Sequence, residues 1–107
     1  MAAKKTNPGK DLYRHFRSIP WLQLWEKEVP RFDQATPQER VRQVTLIRAL
    51  GAGFADSAPP SLHEPVRAWL RNLLHDSEEK IRRYALTALP KTGASQTEEK
   101  QILSLLQ

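Results

Sequence analysis

Histidines and serines are the residues here whose types could support catalysis, and their spacing argues against it. His15, His63 and His75 lie far apart, and no two of them stand four residues apart on one helical face, as a paired metal site would need. His75 precedes Asp76 at an expected helix end, where a solvated or capping role is the ordinary one. Ser18, Ser57, Ser61, Ser77, Ser95 and Ser104 stand in no nucleophile elbow and have no convincing His partner, and several fit helix caps instead. Gly51-Ala52-Gly53 has the composition of a phosphate-cradling loop. No strand precedes it, however, and the Lys-Ser/Thr that would complete such a loop is missing, so helix termination is expected there. The chain has no cysteine, which excludes disulfides and thiolate metal sites. The expectation is therefore a protein that is not an enzyme, with no metal site and no cofactor.

Charge is the other chemistry on offer. The net charge is +5, distributed unevenly. Residues 1–17 carry five Lys/Arg against one Asp, residues 18–59 carry five of each sign, and residues 60–107 carry seven basic against six acidic side chains. The excess thus sits in the N-terminal arm with Lys4, Lys5, Lys10, Arg14 and Arg17, and summation along the chain does not support a basic patch over a whole face. Trp21, Trp25 and Trp69 are three large aromatics in a chain of 107 residues. Core packing is their ordinary use, and an aromatic anchor for a partner is the alternative for Trp21 and Trp25, which share a face one helical turn apart.

The elements that position these residues are helical throughout. Leu12, Phe16 and Ile19 form a short apolar stripe; Trp21, Leu22, Trp25 and Val29 form a second, which Pro30 is expected to stop. Val41, Val44, Ile47 and Leu50 follow, with Gly51 and Gly53 as expected ends. Val66, Trp69, Leu70, Leu73 and Leu74 form a wide face, and Ile81, Tyr84, Ala85, Ala88 and Leu89 repeat that spacing. No stretch alternates with period two. Thr36-Pro37-Gln38-Glu39 and Ser95-Gln96-Thr97-Glu98 read as capping boxes, and Asp76-Ser77-Glu78-Glu79 as their Asp-led variant; Pro65 moves the next helix start to His63 or Glu64. These signals predict an all-α domain over residues 11–107, preceded by a flexible basic tail over residues 1–10. No apolar run approaches the ~20 residues of a membrane span, and the N-terminus lacks the apolar core of a secretory signal, so no membrane association and a cytoplasmic or nuclear setting are expected.

Set beside each other, Val41–Gly53 (VRQVTLIRALGAG) and Ile81–Gly93 (IRRYALTALPKTG) match at an offset of 40 residues, with Arg42 over Arg82, Leu46 over Leu86 and Gly53 over Gly93. The second segment, preceded by PVRAWLRNLLHD, resembles the HEAT-like repeats of the armadillo-type α-solenoid family. Thr36 and Thr45 depart from that pattern in the first unit, and EEKQILSLLQ looks like the first helix of a third. The resemblance implies a short solenoid of antiparallel helix pairs with about six helices. It also implies a structural ladder between neighbouring repeats made by Asp76 and Arg82, and second helices lining a concave face with Arg40, Arg42, Lys80 and Arg83.

On that basis the expected function is a non-enzymatic scaffold binding a protein partner through Trp21, Trp25 and the ridge of Arg40, Arg42, Lys80 and Arg83. A nucleic-acid-binding repeat using the basic arm and the ridge is the alternative, and an N-terminal regulatory segment of a longer protein is a third. The apolar helix expected over residues 98–107 suggests self-association through that end.

Overall fold

The computed structural model describes residues 8–93. The Ser95 capping box, the helix expected over residues 98–107 and its self-association, and Lys4 and Lys5 lie outside the described residues. Within them there is no strand, and the helices form six segments when α2, a π turn and α3 are taken as one. No helix among the described residues is long and apolar enough to cross a membrane.

Helix α1 (Pro8–Ser18) starts earlier than the sequence suggests, so Lys10 belongs to a helix. Its apolar stripe turns inward: Phe16 is buried, and Leu12 and Ile19 pack beside it. After an extended Pro20, helix α2 (Trp21–Gln23) passes into a π turn (Leu24–Glu28) and on into helix α3 (Val29–Gln34). Pro30 therefore does not stop this helix, contrary to the expectation from the sequence. A proline lacks the N–H of an α-helical bond and crowds the carbonyl four residues back. The π turn, where the N–H of Val29 reaches the carbonyl of Leu24, widens the backbone immediately before Pro30 and takes up that misfit. The helix ends instead at Ala35, which is extended.

Thr36 caps helix α4 (Pro37–Arg42) as its sequence predicts, with Oγ1 accepting from the N–H of Glu39 at 3.2 Å. A tightened turn at Gln43 and Val44 leads to helix α5 (Thr45–Ser57). Here Gly51 and Gly53 lie inside the helix and do not end it. Both mark close approaches. A Cβ on Gly51 would lie 3.2 Å from Cβ of Ala88, and one on Gly53 would lie 3.0 Å from Cδ1 of Trp21. A 3-10 turn (Pro60–Leu62) introduces helix α6 (His63–Leu73), whose start agrees with the Pro65 argument. Helix α7 (Glu79–Ala88) follows, and a 3-10 turn (Leu89–Thr92) holding Pro90 ends at Gly93 with φ of 81°. The capping at α7 is shifted: the Asp76 carboxylate accepts from the N–H of Glu78 at 2.9 Å, one residue before the group a capping box would use.

Helix α5 sits at the centre. It packs against α1 on one side and α7 on the other, and it also meets α2 and the Leu89–Thr92 turn. Leu46, Ile47 and Leu50 of α5, Val66 and Leu70 of α6, and Ile81, Ala85 and Leu89 join Phe32 in one buried cluster. The π turn and α3 meet α6 through aromatic edges, Phe32 and Trp25 each presenting a steeply crossed ring to Trp69 at 5.7 and 6.0 Å.

The crossing of α5 and α7 can be tested by filling it. Gly51→Val places two methyl groups against Ala88, and overpacking of this kind costs about 1–3 kcal/mol. The expected result is a lower urea midpoint with an unchanged slope. A midpoint at the wild-type value would mean that the two helices are not in contact at Gly51.

Candidate functional site

Helix α7 has two unlike faces. Ile81, Ala85 and Ala88 go to the core, while Lys80, Arg83, Tyr84 and Thr87, related by three- and four-residue steps, share the other side. Together with Lys91 and with Arg48 of α5, they line a cleft of about 570 Å³. A second, shallower hollow of about 1380 Å³ continues from it over α1 and α4, sharing Arg48, Lys80 and Tyr84.

The charge of this surface separates it from the rest of the molecule. Eight cations line the two hollows (Lys10, Arg14, Arg31, Arg42, Arg48, Lys80, Arg83 and Lys91) against the four carboxylates of Asp11, Glu28, Glu39 and Glu79. Elsewhere in residues 8–93, the six cations Arg17, Lys27, Arg40, Arg67, Arg71 and Arg82 meet the six carboxylates Glu26, Asp33, Asp56, Glu64, Asp76 and Glu78. Eight minus four and six minus six place the whole net charge of the described residues, +4, on this one surface.

Local pairing leaves much of that charge uncompensated. Arg42 pairs with Glu39 at 2.6 Å, Arg31 with Glu28 at 3.6 Å and Arg83 with Glu79 at 3.7 Å. Each pair joins residues three or four apart within its own helical stretch, and pairs with at least one solvent-exposed partner are worth little. Arg14, Arg48, Lys80 and Lys91 form no ion pair among the described residues. Arg48 is held differently: its guanidinium carbon stands 4.4 Å over the ring of Tyr13, whose hydroxyl accepts from Nη1 of Arg17 at 3.1 Å. The half-buried ring of Tyr84 has neither a cation nor another ring against it among the described residues.

The residues singled out from the sequence divide between this cleft and other places. Lys80 and Arg83 lie on its first part and Arg42 on its second. Arg40 is withdrawn from any ridge: its guanidinium bonds the carboxylate of Asp76, and the two side chains are only 17% and 9% exposed. Arg82 donates to the backbone carbonyl of Asp76 at 2.8 Å, so Asp76 gathers two arginines through different oxygens. Trp21 is also unavailable to a partner. It is buried, edge-on to Phe54, with its indole N–H donating to the Leu50 carbonyl at 2.9 Å. Trp25 is half-buried against Trp69, whose own N–H donates to Asp33 at 2.9 Å. Neither Trp21 nor Trp25 lines the basic cleft. The histidines do not meet: His15 is exposed on α1, His63 lies with Nε2 3.1 Å from the Ala58 carbonyl, and His75 is exposed beyond α6.

Arg48, Tyr13 and Lys91 carry weight here and were not read from the sequence. Arg48 did leave a signal, as the only charged residue between Arg42 and Asp56 in an otherwise apolar helix. No family model matches the chain, and no curated protein or solved structure matches it significantly.

The Asp76 junction makes a separable prediction. Asp76→Ala leaves the Arg40 guanidinium buried without its counter-charge, a change that costs about 3 kcal/mol or more. Arg82→Ala removes a charged donor from a carbonyl and should cost about half as much. Urea unfolding of both variants checks the order, and equal losses would contradict the assignment of Arg40 as the ion-pair partner.

Proposed function

We propose that this chain is a HEAT-like helical-repeat module that binds without catalysis, and that its working surface is the cleft over α1, α5 and α7. The pattern of neighbours supports the repeat. Helix α5 adjoins both α1 and α7, while the π turn and α3 meet α6 through Trp25, Phe32 and Trp69. Arg40 and Asp76 join the first unit to the second, in keeping with a ladder between stacked units.

The partner is anionic. The observation that carries this reading is the collection of all the net charge of residues 8–93 on one concave surface while the rest is balanced. A partner seated on apolar surface has less to recommend it. The tryptophans are engaged internally, and Leu22, 43% exposed, is the one large apolar side chain left open among the described residues.

Matched charge reversals test the surface rather than the net charge. Lys80→Glu lies in the cleft and Lys27→Glu lies outside it on the π turn, and each changes the charge by the same amount. On a heparin column Lys80→Glu should elute at clearly lower salt than Lys27→Glu, because polyanion contacts carry a steep salt dependence. Coincident elution of the two variants would mean that overall charge alone governs retention, and the cleft would lose its role.

A further inference from the structure

We infer that the occupant of the cleft is a single-stranded nucleic acid, held at its phosphates by Arg48, Lys80, Arg83 and Lys91 and at one unpaired base by the ring of Tyr84. The inference rests on the anionic-partner reading above and names the class of that partner.

The cations are arranged for a polymer. From Lys80 to Lys91 the helix and its last turn run about 16 Å at the usual rise, and basic side chains recur along that length on one side. Arg48 and Lys80 belong to both parts of the surface, so positive charge continues from α7 across α5 towards Arg14 on α1. A chain carrying one phosphate per residue can meet such a track at several points. A compact anion would use only one of them.

Tyr84 supplies what a plain basic track lacks. It lines both hollows, lies among Arg48, Lys80 and Arg83, and has no ring or cation against it among the described residues. An aromatic face beside cations is the arrangement on which an unpaired base stacks while its phosphates are neutralised. A duplex keeps its bases within the stack and offers none to that ring. An acidic peptide would satisfy the cations but would make no use of the aromatic face. Arg48 strengthens the case: its guanidinium is positioned over Tyr13 without being neutralised, and guanidinium groups are themselves stacking partners for bases.

The test is fluorescence anisotropy with the full chain. The probes are a labelled single-stranded RNA of about 12 nucleotides, the same sequence as DNA, the corresponding duplex, and polyglutamate, each at about 50 and 200 mM salt. Four phosphate contacts predict a loss of roughly 50-fold for the single strands over that range. One of the two single strands should bind about tenfold more tightly than the duplex and polyglutamate. Tyr84→Leu keeps apolar bulk against the core and removes the ring, and should weaken strand binding about tenfold while leaving polyglutamate unchanged; Tyr84→Phe should bind as wild type. Circular dichroism of each variant confirms the helical fold. If Tyr84→Leu binds the strand like wild type, or polyglutamate binds as tightly as the strand, the nucleic-acid inference falls and the anionic cleft stands. If none of the four polyanions binds at the lower salt, the cleft reading falls with it.

Discussion

Helix α5 must satisfy α1, α2, α7 and the Leu89–Thr92 turn with only 13 residues. The arrangement around it depends on how near those neighbours can come. At Gly51 the limit is the Ala88 side chain, and at Gly53 it is the Trp21 ring. Any larger residue at either position would push a neighbour outward, and the pieces affected are those that matter for the surface. Moving α7 carries Lys80, Arg83 and Tyr84 with it, because they share that helix with Ala88, which itself lines the cleft. Moving Trp21 would break the bond from its indole to the Leu50 carbonyl, which ties the irregular second helix to α5. The two glycines lower the intrinsic helicity of α5 by about 1 kcal/mol each, and close packing on two sides is what offsets that cost.

A polar junction complements this apolar crossing. Asp76 lies between α6 and α7, and one of its carboxylate oxygens meets Arg40 of α4 while the other receives the N–H of Glu78. Its carbonyl takes the guanidinium of Arg82. Burying an ion pair costs desolvation that its attraction barely repays, so such a junction adds specificity more than net stability. The specificity is positional. Asp76 is engaged by Arg40 of α4 and by the start of α7, so it ties the two helices together. Lys80, Arg83 and Tyr84 lie in the first two turns after that start, close to the junction.

The helical character was legible because apolar spacing and the Thr36 and Pro65 signals are local, and the structure uses them locally. The departures arise where a distant contact outweighs a local preference. Pro30 reads as a stop, yet Phe32 beyond it is fully buried against the core and favours continuing the helix; the π turn makes that continuation feasible. The glycines of α5 read as ends because nothing in their own neighbourhood announces Ala88 or Trp21. Arg40 and Arg42 are indistinguishable by composition, but two residues are about 200° of helical rotation, enough to send one to a buried carboxylate and the other to solvent. An offset that aligns Arg42 with Arg82 does not by itself reveal which arginine reaches Asp76.

The cleft was hidden by the same separation between chain order and space. Summed by segment, the charge of residues 18–107 is nearly balanced, and the excess falls on the N-terminal arm. Folding brings α1 beside α5, which joins part of that arm to Arg42, Arg48, Lys80 and Arg83, while the carboxylates that balanced them in the segment sums, such as Asp33, Asp56, Glu64 and Asp76, lie elsewhere. The way Arg48 is held follows from this. Arg48 is exposed, and a carboxylate partner would orient such an arginine and cancel its charge together. A tyrosine face at 4.4 Å orients the guanidinium and leaves the charge in place, and the Arg17 contact to the Tyr13 hydroxyl steadies that face. Ion pairing would serve a purely structural arginine at least as well. Support by an aromatic ring leaves the charge of Arg48 uncancelled at the surface.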